Sequence, residues 1–174
     1  MSWYCDIAPG HPVHDFYHDQ EYGFPQTDQN QLFERLCLEI FQAGLSWEII
    51  LKKRATMREA FDGFVPDVVA AYGPDDIERL LGNPGIIRNR RKVEAIIENA
   101  RRLVALSAEH GSFAKWIAAQ PEQDKASWIK LFKKTFLFMG GEVVGEFLMS
   151  IGILPGAHRP DCPVQARIDR AKNG

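Results

Sequence analysis

Apolar residues recur along the chain at the three-to-four-residue spacing of amphipathic helices, and no clear stretch alternates apolar and polar positions as a half-buried strand would. TDQNQLFERLCLEIFQAG places Leu32, Phe33, Leu36, Cys37, Ile40 and Phe41 on that spacing, with Thr27 or Asp28 as N-cap and Gly44 as the stop. SWEIILKKRATMREAFDGF starts from a Ser46 cap, and VPDVVAAYG carries Pro66 in its first turn and ends at Gly73. PDDIERLL, with acids in its first turn, leads through GNPG into RNRRKVEAIIENARRLVALSAEHG, a long helix ending at Gly111. SFAKWIAAQ, ASWIKLFKK and EVVGEFLMSIGIL follow, each short and amphipathic or apolar. The pattern predicts an all-α fold of roughly eight to ten helices. The terminal segments are not obviously helical, and CPVQARIDRAKNG reads as a polar, fraying tail.

Composition narrows this picture. The 174 residues are 45% hydrophobic, enough for one globular domain over residues 1–174. A net charge of −2 excludes a global positive field, so a nucleic acid would have to be met by a local basic patch. No apolar run is long enough to span a membrane and the first residues lack a signal-peptide layout, so the expected compartment is the cytoplasm, with no membrane partner. The three cysteines, Cys5, Cys37 and Cys162, are too few for a disulfide framework and leave metal binding open.

Metal chemistry is raised first by HRPDC, which sets His158 and Cys162 four positions apart in a Gly/Pro-rich segment. A closed structural zinc site takes four ligands. One other region offers the same donors, Cys5 and His18, giving C-x12-H…H-x3-C and two thiolates that would balance the charge of Zn2+. His11 and His14 are rivals for the first pair. Spacing alone leaves open a zinc clip joining the two ends or four unrelated residues. Cys37, among apolar neighbours, reads as core.

A second anomaly lies on the helix from Gln31 to Ala43. At about 100° per residue, Leu32, Leu36, Ile40 and Ala43 form the apolar face, while Gln31, Glu34, Arg35 and Gln42 share the other. Glu39 falls on the apolar face, where a carboxylate needs a donor or a cation. The plain explanation is a salt bridge to an arginine at the core edge. The functional one rests on the company it keeps: Trp47 follows in QAGLSW, and FYHDQEYG supplies Phe16, Tyr17 and Tyr22. An anionic acceptor among aromatic faces suits a flat, electron-poor or cationic heterocycle.

The third feature is a helix, a tight turn and a helix. Gly82, Asn83, Pro84 and Gly85 form the turn, and Arg88, Arg90, Arg91 and Lys92 stand at the start of the second helix. Glycines let backbone N–H groups approach an anion, and the helix N-terminus adds partial positive charge. This is the design of a helix-hairpin-helix that holds a DNA backbone, or else an ordinary helical hairpin with a solvated basic face. Lys52 to Arg54 would extend the basic surface.

Together these blocks resemble the 3-methyladenine DNA glycosylase I family. YHDQEYGFPQTDQNQLFERLCLEIFQAGLSWEIILKKR, GIIRNRRKVEAIIENA and the terminal H-x3-C carry the resemblance over nearly the whole chain, most weakly across residues 108–130. It implies a helix-hairpin-helix glycosylase with the hairpin at about residues 75–100 and a structural zinc clip from residues 1–20 and 155–165. The implied ligands are Cys5, His18, His158 and Cys162. Glu39 would contact the excised base, with Tyr17, Trp47 and Tyr22 around it. Gly44 and Leu45 would lie at the DNA gap, and Gly82, Gly85, Arg88, Arg90 and Arg91 at the backbone. The implied reaction is monofunctional hydrolysis of the 3-methyladenine glycosidic bond in double-stranded alkylated DNA, by a monomer, leaving an abasic site. The alternatives are a changed alkyl-base range, a non-catalytic damaged-DNA-binding module, and a zinc-clipped domain with a protein partner. The sequence departs from the family at Ile7 and Tyr22, where tryptophan is frequent, and in the approach ILPGAH. A lost stacking partner is worth about 1–3 kcal/mol per base, and Trp3 and His14 are the candidates to replace it.

Overall fold

The computed structural model describes residues 3–173. Met1, Ser2 and Gly174, the outermost positions of the expected clip and tail, lie outside the described residues. Among the described residues the chain is all helical, with eleven α-helices, one short 3-10 turn and no strand.

Helix α3 (Gln29–Gln42) is the axis around which the rest is placed. Asp28 caps it, its side chain accepting from Gln31 N, and every residue from Leu32 to Phe41 is buried. Of the polar face expected from the helical wheel, Gln31 is exposed and Gln42 half-buried, but Glu34 and Arg35 are not solvated. Glu34 is covered because α4 (Trp47–Ala60) brings cations against it, and Arg35 because it is bonded to Glu21 and the Ser150 carbonyl. Arg54 spans Glu21 and Glu34 with four hydrogen bonds of 2.7–3.0 Å, and Arg58 adds two more to Glu34. Arg54 accordingly lies inside this network, contrary to the expectation that Lys52 to Arg54 extend a basic surface. These partners draw Glu34 below the ordinary carboxylate range despite its burial.

The core continues through the chain in sequence order. After the turn at Asp62–Phe64 come α5 (Pro66–Ala70), α6 (Pro74–Leu81) and the long α7 (Arg90–His110), whose N-cap Asn89 accepts from Lys92 N. Helices α8 (Phe113–Ala118), α9 (Lys125–Thr135) and α10 (Gly141–Ser150) close the other side of α3 over Phe113, Phe132, Phe136 and Phe147. Cys37 is fully buried in this core, as its neighbours implied.

The ends of the chain depart from expectation. Residues 4–7 and 15–20 form short helices, α1 (Tyr4–Ile7) and α2 (Asp15–Gln20), and the expected frayed tail is a helix, α11 (Pro163–Asn173). Long-range contacts hold it there. Val164 and Ile168 are buried against Cys5 and Cys162, and Arg167 donates to the carbonyl of Asp19. Gly23 makes the close fit workable: its φ is +90°, and a Cβ there would stand 2.9 Å from Ile168 Cδ1.

Candidate active site

Between α3, the start of α4 and α10 lies a cavity of about 550 Å³. Tyr17, Tyr22 and Trp47 wall it: Tyr17 and Tyr22 stack at a centroid distance of 5.7 Å, and Trp47 meets Tyr17 edge-on at 5.2 Å. The guanidinium of Arg35 lies 5.3 Å from the Tyr17 ring centre and that of Arg54 5.9 Å, so the buried ion network supports the ring. Among the described residues the buried Tyr17 hydroxyl has no hydrogen-bond partner.

Glu39 lines the same cavity and is 4% exposed. The expected alternative, a salt bridge at the core edge, is not formed: among the described residues Glu39 makes no hydrogen bond or ion pair. Arg35, the nearest favourable charge, is committed to the Ser150 carbonyl at 3.1 Å and to Glu21 at 3.4 Å. Burial, with the charge of Glu146 behind it, pushes Glu39 well above the usual carboxylate range. The site thus holds an acceptor and an ionisable group with no protein partner beside flat aromatic faces.

The turn after α3 is fixed from beneath. Gly44 has φ +83°, and Leu45 next to it is partly exposed. Lys92 does not join the basic surface: it is buried, and its Nζ donates to the carbonyls of Phe41 and Ala43 at 2.8 and 2.6 Å. A cation on the last carbonyls of α3 holds the turn at the cavity's edge, while burial pulls the ammonium's pKa down.

In the hairpin between α6 and α7, Asn83 accepts from Gly85 N at 2.8 Å and Lys53 donates to the Pro84 carbonyl at 2.9 Å. A Cβ on Gly85 would stand 2.1 Å from Thr56 Cγ2, so this glycine is required by the approach of the turn to α4. A Cβ on Gly82 would meet only backbone carbonyls at 3.4 Å or more. Arg88, Arg90 and Arg91 are all exposed. Arg90 ties the two helices through Glu78 at 2.7 Å, and Arg91 lies over the Phe138 ring.

At the ends of the chain, Cys5, His18, His158 and Cys162 come together, all buried, with their donor atoms within 4.8 Å of one another. His158 Nδ1 lies 3.1 Å from His18 Nε2, 3.5 Å from Cys5 Sγ and 3.7 Å from Cys162 Sγ. Tetrahedral bonds of about 2.3 Å to sulfur and about 2.0–2.1 Å to nitrogen set such donors roughly 3.3–3.6 Å apart. The far ring nitrogens are oriented too, by Asp19 on His18 and by the Tyr22 carbonyl on His158, both at 2.6 Å. The donor set and its surroundings fit zinc. His11 and His14 stand apart from it, against Glu48 and the Tyr4 hydroxyl.

A sequence model of methyladenine glycosylase matches residues 7–130. The chain belongs to that family. The DNA-3-methyladenine glycosylase of Haemophilus influenzae is 35% identical over 94% of this chain and 98% of its own length. DNA-3-methyladenine glycosylase 1 of Escherichia coli is 36% identical over 86% and 90%. A solved structure of 3-methyladenine DNA glycosylase I from Staphylococcus aureus, concerned with 3-methyladenine recognition, superposes with a TM-score of 0.80 at 34% identity, covering 92% of this chain and 95% of that one.

Against this methyladenine glycosylase background the two departures acquire positions. Ile7 is 55% exposed and does not line the cavity, whereas Trp3 does. Of the two candidates to replace a lost aromatic, Trp3 is therefore the one at the site, and His14 is bonded to Tyr4 instead. Sequence reasoning missed Tyr4, Glu142 and Glu146, which also line the cavity. The signal was present in EVVGEFLMS: two carboxylates four residues apart on an otherwise apolar helix share one face. Among the described residues no helix is long and apolar enough to cross a membrane.

Proposed function

We propose that this chain removes 3-methyladenine from alkylated double-stranded DNA by hydrolysing its glycosidic bond. The observation that carries the reading is Glu39: a buried carboxylate without a partner, facing a cavity walled by Tyr17, Tyr22 and Trp47, in a chain of the methyladenine glycosylase family. Methylation at N3 makes the nucleoside cationic and weakens the bond to C1′. Water adds to C1′ and gives up a proton, while the electron pair of the breaking bond neutralises the departing purine, leaving an abasic site. Capture and orientation of the flipped base then supply much of the catalysis. Glu39 accepts from the exocyclic amine and offsets the cation, and the tyrosine and tryptophan rings offer π faces. No lysine lines the cavity among the described residues, which favours a monofunctional hydrolase over a Schiff-base mechanism.

In this reading the α6–α7 hairpin is a helix-hairpin-helix that holds the DNA backbone, Arg88 and Arg91 meeting phosphates while Arg90 braces the two helices. Gly44 and Leu45 enter the gap left by the flipped nucleotide. Zinc on Cys5, His18, His158 and Cys162 is structural: it would lock the two ends of the chain behind the pocket and supply no step of the reaction. The enzyme works as a monomer in the cytoplasm, a compartment in keeping with three unpaired cysteines. Incubating the protein with methylated duplex DNA and separating the released bases tests the assignment. Free 3-methyladenine, strongly reduced by Glu39→Gln, is the expected result. DNA binding without base release from folded, metal-loaded protein would replace it with the binding-module reading.

A further inference from the structure

The cavity holds more acid than one recognition contact requires. Helix α10 presents Glu142, Glu146 and Met149 to it from one face. Glu142 is exposed at the mouth, whereas Glu146 is half-buried and tethered: the Tyr22 hydroxyl donates to its Oε2 at 3.1 Å. Tyr22 is itself buried and stacked on Tyr17, so the tether is rigid. The second oxygen of Glu146 has no donor among the described residues, and the same cavity is lined by the unpartnered Glu39 carboxylate and by Tyr17, whose buried hydroxyl is also unpartnered.

We infer that Glu146, held by Tyr22, is a second recognition carboxylate of the base pocket and that, with Glu39, it selects bases for positive charge. No cation lines the cavity among the described residues. Lys125, the nearest to Glu146, lies along α10 where a Cβ on Gly145 would stand 2.7 Å from its Cε. A neutral purine entering the pocket leaves the two acids either repelling each other or holding a proton, whereas an N-alkylated purinium stabilises the ionised form of both. The selection also has a direction in time. The nucleoside is cationic until its glycosidic bond breaks and the base is neutral afterwards, so the two carboxylates favour substrate over product. Tyr22 stands at one of the positions where the chain departs from the family resemblance, and its hydroxyl is the group that makes the tether.

The inference rests on the pocket being the base site, and its test is kept separate from that reading. The probes are 3,9-dimethyladeninium, a fixed cation, and 9-methyladenine, its neutral counterpart, titrated into metal-loaded wild type, Glu146→Gln, Tyr22→Phe and Glu142→Gln. Wild type prefers the cation. Glu146→Gln, which keeps an acceptor for Tyr22, reduces that preference on the order of tenfold, the scale of one charge acting across a partly solvated cavity. Tyr22→Phe reduces it part-way, and Glu142→Gln, screened at the mouth, less than Glu146→Gln. An unchanged preference in a Glu146→Gln protein with wild-type circular dichroism overturns the inference, as does an equal loss in Glu142→Gln. Base release from methylated duplex by wild type is measured alongside. Its absence defeats the glycosylase assignment, while its presence with an unchanged Glu146→Gln preference defeats only the role of Glu146.

Discussion

Replacing Glu39 by glutamine should stabilise the folded protein while removing its activity. The carboxylate is 4% exposed, has no partner, and feels Glu146 across the cavity while Arg35 is engaged elsewhere. Glutamine removes the charge at nearly constant volume, and its amide can be hydrated in a cavity of about 550 Å³. Relief of a functional burden of this kind is worth about 0.5–2 kcal/mol. The pH dependence sharpens the test. The folded state binds the Glu39 proton more tightly than the unfolded chain, because the folded pKa is the higher of the two. Stability contributed by this group is therefore lost as pH rises from the ordinary carboxylate range through the raised value. The advantage of Glu39→Gln should vanish below about pH 4, where both states are protonated, and grow steadily as pH rises above the ordinary carboxylate range. Urea titrations of wild type and variant across that range, with base release measured in parallel, provide the assay. A variant no more stable than wild type anywhere in that range, or an advantage independent of pH, would refute the claim that Glu39 is held there at an electrostatic cost.

Arg54→Met should leave Glu21 and Glu34 facing each other in a half-dry site and lower stability by about 3–5 kcal/mol in urea unfolding. Gly85→Ala should destabilise by about 1–3 kcal/mol through its clash with Thr56, and a Gly85→Ala/Thr56→Ala double variant should recover part of that loss. Chelation or Cys162→Ala should remove bound zinc, measured by elemental analysis, and lower Tm by at least about 4 °C. Hydrogen exchange should then rise first in α1 and α11, with base release retained at low temperature. Stoichiometric zinc persisting in a Cys5, Cys162 double variant would sink the four-ligand site.

What could be read from the sequence followed from how local each signal is. The caps at Asp28 and Ser46 and the apolar stripes of α3 and α7 are written in adjacent residues, and the structure has the helices there. Glu39 was legible for the same reason, since one turn of a wheel shows a carboxylate on an apolar face. Glu34 and Arg35 were misplaced because their cover comes from Arg54, Arg58 and Glu21, which no local period reports. Helix α11 was missed because its composition is polar and what holds it, Val164 and Ile168 against Cys5 and Phe24 and Arg167 on Asp19, lies at the other end of the chain. Glu146 went unnoticed in EVVGEFLMSIGIL because its role depends on α10 facing α3 across a cavity, which no local period reports.

The strongest argument for a functional Glu39 comes from its own helix. Glu34 and Glu39 are the same residue type on α3, five positions and so roughly 140° apart, and both are buried. For Glu34 the fold supplies two arginines in close contact, and the carboxylate is drawn below its ordinary range. For Glu39 it supplies no hydrogen bond or ion pair among the described residues, sets Glu146 across the cavity, and leaves the Tyr17 hydroxyl in the same wall without a partner there. A chain that neutralises one buried carboxylate so fully has the means to neutralise the other. An arginine reaching Glu39 would remove the electrostatic burden, but it would also fill the cavity with the charge that a cationic base is meant to bring. On the proposed reading the ligand supplies the missing cation at Glu39, and the aromatic walls suit a flat heterocycle.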